Sequence, residues 1–308
     1  MKTTLNTKTQ EKITKIISLI INPFFSPIPI LLLINYFTLN TTQFIIIETL
    51  SLLFTTIIPL AITIGWSKHI NTDIDISNHQ DRITPLKLGI LPYFIGAIIL
   101  YLLHAPILTI SLTAAYAINT IILIPITKKW KISVHAIGTV GPTILLTLQF
   151  GLYGALFGIL FPLVAWSRLI QKKHNSTQII GGAIEVSIII LLTTTLISYL
   201  LYGHGIPLKN LIMSIWYALS IILAPAFMML IDYAREHTKH SKYKKLSKDR
   251  LRLLTILIIV LLLYLFLFIA PQDATIIFLI ILLISIILTK ISGKTFSWYQ
   301  KKINGLKN

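Results

Sequence analysis

Apolar runs alternate with short polar segments along almost the whole chain, and most runs are too evenly hydrophobic to present one wet face. A run of about 20 residues crosses a hydrocarbon layer ~30 Å thick as a helix rising about 1.5 Å per residue. Read in order, the runs predict spans near residues 13–37, 43–66, 87–103, 106–127, 133–150, 154–166 and 178–201, then 211–231, 251–269 and 275–288. The first contains Pro23, Pro27 and Pro29, which interrupt helical hydrogen bonding. It is therefore expected to be kinked, or to form a surface helix followed by a short hairpin. The fifth and sixth are short, and Gly138, Gly141 and Pro142 thin or kink the fifth. The pattern predicts an all-α, polytopic membrane bundle of about ten transmembrane helices. It divides into a basic N-terminus with the first span (1–42), a membrane core (43–201) and a three-span extension with a basic loop and tail (202–308).

Composition agrees, since 55% of the 308 residues are hydrophobic and only 12% are charged. The net charge of +17 raises the question of nucleic acid, but its distribution answers it. With these spans, only Lys209 of the 27 Lys and Arg falls on the far side of the membrane. That is the positive-inside pattern, so both termini and the basic loops are expected at the cytoplasmic face of the cell membrane, with membrane lipids rather than nucleic acid as partners. The apolar run behind the polar N-terminus lacks a small-residue cleavage site and is expected to be retained. Cysteine is absent, which removes thiolate chemistry and cysteine-ligated metals.

Candidate chemistry gathers in the polar segments of the basic side. One reads Lys128-Lys129-Trp130-Lys131-Ile132-Ser133-Val134-His135, and another runs from Ser167-Arg168 through His174 to Gln178 and on to Gly181-Gly182. The two spans between them return the second to the face of the first. A third segment, 67–86, is acidic and then basic, with Asp73, Asp75, His79, Asp81 and Arg82. Arg, Lys and Ser bind phosphate oxygens, while His transfers protons or attacks phosphorus, so the three segments together predict a phosphate site.

These residues resemble the three motifs of the type 2 phosphatidic acid phosphatase superfamily, and more specifically an uncharacterised microbial branch of it. The family motifs read Lys, six residues, Arg-Pro; then Pro-Ser-Gly-His; then Ser-Arg, five residues, His, three residues, Asp. The third is matched by Ser167-Arg168, five residues and His174, the second in part by Ser133-Val134-His135, and the first by Arg82 alone. The branch shares an acidic loop ending Asp-Arg, Trp-Lys-Ile-Ser-x-His, and Arg-Leu, four residues, His, three residues, Gln. The resemblance covers roughly 43–201. It implies a lipid phosphate or polyprenyl diphosphate phosphatase that uses no metal or other cofactor. His174 would be the nucleophile and His135 the general acid, while Arg82, Ser133 and Arg168 bind the substrate phosphate. Lys131 would replace the missing first-motif lysine, at whose position Asp75 stands.

Gln178 replaces the family aspartate; it can orient His174 but supplies no charge. Glu185 is eleven residues beyond His174, ~16 Å along a helix, and is expected to face the bundle interior instead. Two rival readings remain. Asp73, Asp75 and Asp81 invite a magnesium-dependent membrane prenyltransferase. The many spans with a buried Glu185 would also suit a lipid or ion transporter.

Overall fold

The structure, a computed structural model, describes residues 7–76, 78–240, 258, 261 and 265–292, which are helical with no strand among them. In chain order the helices are α1 Thr7–Ile20, α2 Pro27–Thr38, α3 Thr41–His69, α4 Gln80–Leu102, α5 Ile107–Lys129, α6 Val134–Phe150, α7 Leu152–Ile170, α8 Ser176–Tyr202, α9 Leu208–His240 and α10 Gln272–Ser292. Among the described residues, seven of them (α3, α4, α5, α7, α8, α9 and α10) contain a stretch long and apolar enough to cross a membrane. The expectation of about ten is corrected accordingly. The proline-rich first run divides at Pro23 into α1 and the 12-residue α2, and α6, with 17 residues, is also shorter than a full span. The run expected at 251–269 lies mostly outside the described residues, as do the basic tail and most of the basic connector after α9.

The hub is α6. Every residue from His135 to Thr147 is buried, as suits a helix that is apolar all round. Packed on it are α2, α5, α7, α8 and α9. Close approach is possible because glycine stands at the tightest points: a Cβ on Gly138 would meet the Pro23 backbone at 2.7 Å, and one on Gly182 of α8 would meet the Ser133 carbonyl oxygen at 2.9 Å. Outside this hub, α4 and α5 form a tight hairpin with α3 against α4. A wide π turn at Leu53–Ile57 relieves the clash that Pro59 would make with the preceding turn of α3. On the other side α9 and α10 pair, and Ile221, Phe278 and Ile281 join the same buried core as Val140 and Ile144. Exposed Leu91, Phe94, Leu192, Leu196 and Leu200 form an apolar outer surface that is stable only against lipid. The antiparallel order brings the 69–80, 129–134 and 170–176 connections to one end of the bundle.

Candidate functional site

The third segment is built by two consecutive helix caps. Helix α7 stops in a Schellman turn, with Lys173 N–H donating to the Arg168 carbonyl at 3.1 Å and Lys172 N–H to that of Leu169 at 3.0 Å. Lys172 takes the left-handed conformation, φ 56°, that glycine usually fills. Helix α8 then opens with a capping box in which the Asn175 side chain accepts from Gln178 N–H, and Gln178 Oε1 accepts from Asn175 N–H. His174 lies between the two caps, 2% exposed. Because Gln178 Oε1 already accepts a backbone N–H, its 3.1 Å contact with His174 Nδ1 is donation by the ring. The ring is thus fixed as the Nδ1–H tautomer, with an unprotonated Nε2. Burial first, and then the charges of Arg168, Arg82 and Lys131, hold the His174 pKa far below its ordinary value of 6.5.

Arg168, on the last turn of α7, is 1% exposed. Its Nη1 donates to Asp75 Oδ2 at 2.9 Å and to Ser18 Oγ at 2.6 Å. His135, on the first turn of α6, turns Nε2 toward the same two groups, 3.4 Å from Ser18 Oγ and 3.8 Å from Asp75 Oδ1. Burial alone would lift the Asp75 pKa, but the charges of Arg168, His135 and Lys173 outweigh it and hold the carboxyl below its ordinary value.

Arg82 works on the backbone of the acidic loop. Its Nε donates to the Ile76 carbonyl at 2.7 Å and its Nη2 to that of Asp75 at 3.0 Å. Ile76 is β-branched yet has φ of 38°, a conformation that persists only where its surroundings impose it. The Arg82 fork supplies that constraint and so aims Asp75 at Arg168. Ser133 caps α6 by accepting from Ala136 N–H at 3.4 Å, while its own N–H donates to the Gln178 carbonyl at 3.2 Å, which ties the second segment to the third. Lys131 is half-buried beside them; burial, then Arg82, Lys173 and Arg168, lower its pKa.

The expected catalytic pair His174 and His135, the expected phosphate ligands Arg82, Lys131, Ser133 and Arg168, and the supporting Gln178 and Asp75 therefore occupy one end of the bundle, joined by these contacts or by mutual electrostatics. The three aspartates of the acidic loop go separate ways: Asp73 to Lys173 at 3.1 Å, Asp75 to Arg168, and Asp81 to Asn78 at 3.0 Å. Among the described residues, no three His, Cys, Asp or Glu side chains converge as a metal site would require. Two contributors on α1 escaped sequence reasoning. Besides the Ser18 contacts, the Thr14 carbonyl accepts from Ser167 Oγ at 2.7 Å and from Gln171 Nε2 at 2.8 Å. The signal for Ser18 is the spacing Gln10, Thr14, Ser18, a polar stripe on an isoleucine-rich helix, whereas the Thr14 contribution is a backbone carbonyl that leaves no mark in the sequence.

A cavity of about 140 Å³ opens from this cluster into the bundle. Asp75, Arg82 and His135 line it together with Pro59, Thr63, Tyr93, Leu123 and Ile137, and also Tyr116 and Asn119 of α5. With its amide nitrogen turned to α8, Asn119 donates to both Glu185 oxygens, at 3.0 and 2.9 Å. Glu185 thus faces α5 in the interior of the bundle. Comparison of the chain with family models, curated proteins and solved structures found no match.

Proposed function

We propose that the protein is a membrane lipid phosphate or polyprenyl diphosphate phosphatase acting through a phosphohistidine intermediate. The observation that carries the reading is the convergence of Arg168 and His135 on Asp75, with Asp75 and His135 lining a cavity between apolar helices and His174 held as a neutral Nδ1–H ring near the cations Arg168, Arg82 and Lys131. Arg82, Lys131 and Arg168 are an anion's counter-charge, and the capped N-terminus of α6 adds oriented backbone N–H groups. An incoming phosphate takes over the place of the Asp75 carboxylate on Arg168.

In the reaction, the phosphate group binds as its singly protonated form and passes that proton to His135 Nε2; His174 Nε2 attacks phosphorus, the bond from phosphorus to the lipid oxygen breaks, and that oxygen takes the proton from His135 Nε2. Water then attacks the phosphohistidine and returns a proton to His135, releasing inorganic phosphate and neutral His174. Arg168, Lys131 and Ser133 stabilise charge on the transferring group, and Arg82 holds the loop. A cavity of about 140 Å³ is close to the size that holds one benzene ring, so it admits only the first carbons of the lipid and the rest of the tail runs between helices. Following the charge asymmetry, the site faces the cytoplasm at the cell membrane.

The test is inorganic phosphate release, in EDTA, from a panel of lipid phosphates and polyprenyl diphosphates, by the purified protein and by His174→Ala. Release by the parent alone, with an acid-labile phosphoenzyme, is expected. If neither releases phosphate but magnesium and a prenyl acceptor give a prenylated product, the chemistry belongs to Asp73, Asp75 and Asp81.

A further inference from the structure

Helix α1 carries its polarity inside out. Gln10, Thr14 and Ser18, spaced four apart, are buried against the protein, while Ile16, Leu19 and Ile20 are exposed at 48%, 65% and 68%. Burying a polar stripe costs free energy unless each group finds a partner: Thr14 Oγ1 donates to the Glu11 carbonyl of its own helix, whereas the partners of Ser18 belong to the phosphate cluster. Ser18 stands at its centre. Its oxygen accepts from Arg168 Nη1 at 2.6 Å, which leaves its one proton for His135 Nε2 at 3.4 Å. A hydroxyl in that position sets which ring nitrogen of His135 carries the resting proton, and it holds the ring at the edge of the cavity where a leaving oxygen would emerge.

We propose that Ser18 is a positioning residue for His135: in the resting site it fixes the ring as the Nδ1–H tautomer, leaving Nε2 free to take up the proton that a bound phosphate monoanion brings and to pass it to the leaving oxygen, and it couples that aim to Arg168. The N-terminal helix thereby forms a wall of the site. The part concerning catalysis rests on the phosphatase reading; the part concerning the ring does not.

Two measurements on the full chain, in detergent or nanodiscs, separate them. Nitrogen-15 NMR of labelled histidines, with His135 assigned from His135→Ala, reads the tautomer without any activity. The Nδ1–H form with a hydrogen-bonded Nε2 is expected in the parent and in Ser18→Thr, and its loss in Ser18→Ala. An unchanged His135 signal in Ser18→Ala overturns the proposal, and Ser18→Thr guards against a variant that merely misfolds.

The second measurement compares alkyl with aryl phosphates, because an aryl oxide leaves without a proton and an alkoxide does not. Ser18→Ala is expected to slow alkyl phosphate turnover by about tenfold to a hundredfold, the range for a lost hydrogen bond to an ionised group, and to leave aryl phosphate turnover nearly intact. Equal loss on both substrates would make Ser18 a plain phosphate clamp or packing residue and overturn the positioning role. A parent inactive on both substrates overturns the phosphatase reading, and the tautomer result then decides the ring-positioning claim alone.

Discussion

Gln178 holds His174 through an uncharged oxygen, so its contact adds no charge to offset the burial and cations that keep the ring unprotonated. In Gln178→Glu the geometry is retained and a negative charge is added, so the His174 pKa rises toward 6.5. The acid limb of kcat/KM, which reports the free enzyme, should move to higher pH than in the parent, and an unmoved limb would mean that another group sets it. Linkage gives a second readout. A folded-state pKa below the unfolded value means that the unfolded chain binds the proton first. The stability carried by neutral His174 is therefore complete above pH 6.5 and drains away as pH falls from there toward the folded value; Gln178→Glu should lose less of it. Asp75 follows the same sign lower on the scale: its contribution is present above its ordinary value of 3.8 and is lost as pH falls through its lowered pKa. Asp75→Asn strips a buried guanidinium of its counter-charge and should cost about 3 kcal/mol of stability. Orthovanadate, a phosphate mimic, should recover more of the melting temperature in that variant than in the parent, because the anion replaces the lost carboxylate. Equal recovery in both would show that Asp75 does not occupy the anion's place.

Gly138 lets the turn between α1 and α2 press against α6, and Ser26 Oγ donates to the Gly138 carbonyl at 2.5 Å in the same contact. Gly138→Ala puts a methyl 2.7 Å from the Pro23 backbone, and backbone yields less readily than a flexible side chain. The expected outcome is a loss of about 1–3 kcal/mol, the usual cost of overpacking, with faster proteolysis at the 21–26 turn as α1 loosens. Unchanged proteolysis would show that α1 docks independently of this contact. The contrast between α1 and the end of α7 also explains how much of the site was legible. Arg168, His174 and Gln178 are set by two local caps, and local geometry is written in local spacing. Asp75 stood out where a lysine was expected and as one of three loop aspartates, but not as the partner of Arg168, because that pairing depends on an Arg82 fork and a strained Ile76 that no periodicity encodes. Ser18 reaches partners 117 and 150 residues away, and a four-residue stripe announces a buried face without saying against what. Among the described residues the span at 13–37 differs from expectation for a related reason: hydropathy registers how apolar a run is, whereas Pro23 decides where that run breaks into two shorter helices.

Across the whole molecule, the seven long apolar helices together with α6 and the apolar ring around them establish a membrane protein, and the charge distribution adds a direction. Lys209 begins α9 at one end of the bundle, while Lys172 sits at the other, in the turn that presents His174. Both side chains are exposed. Because the chain has no cysteine, a single introduced thiol reports its side without background. If the positive-inside rule governs insertion, Lys209→Cys should react with a membrane-impermeant maleimide in intact cells, and Lys172→Cys only after permeabilisation. The reverse pattern would turn the cluster of Arg168, Asp75 and His174 outward, and on the proposed phosphatase reading a lipid substrate would then arrive from the outer leaflet and phosphate would be released outside the cell. The residues of the site would keep their geometry, but the basic clusters would then need a cause other than retention on the cytoplasmic side, and attraction of an anion to the cationic site would be the first candidate.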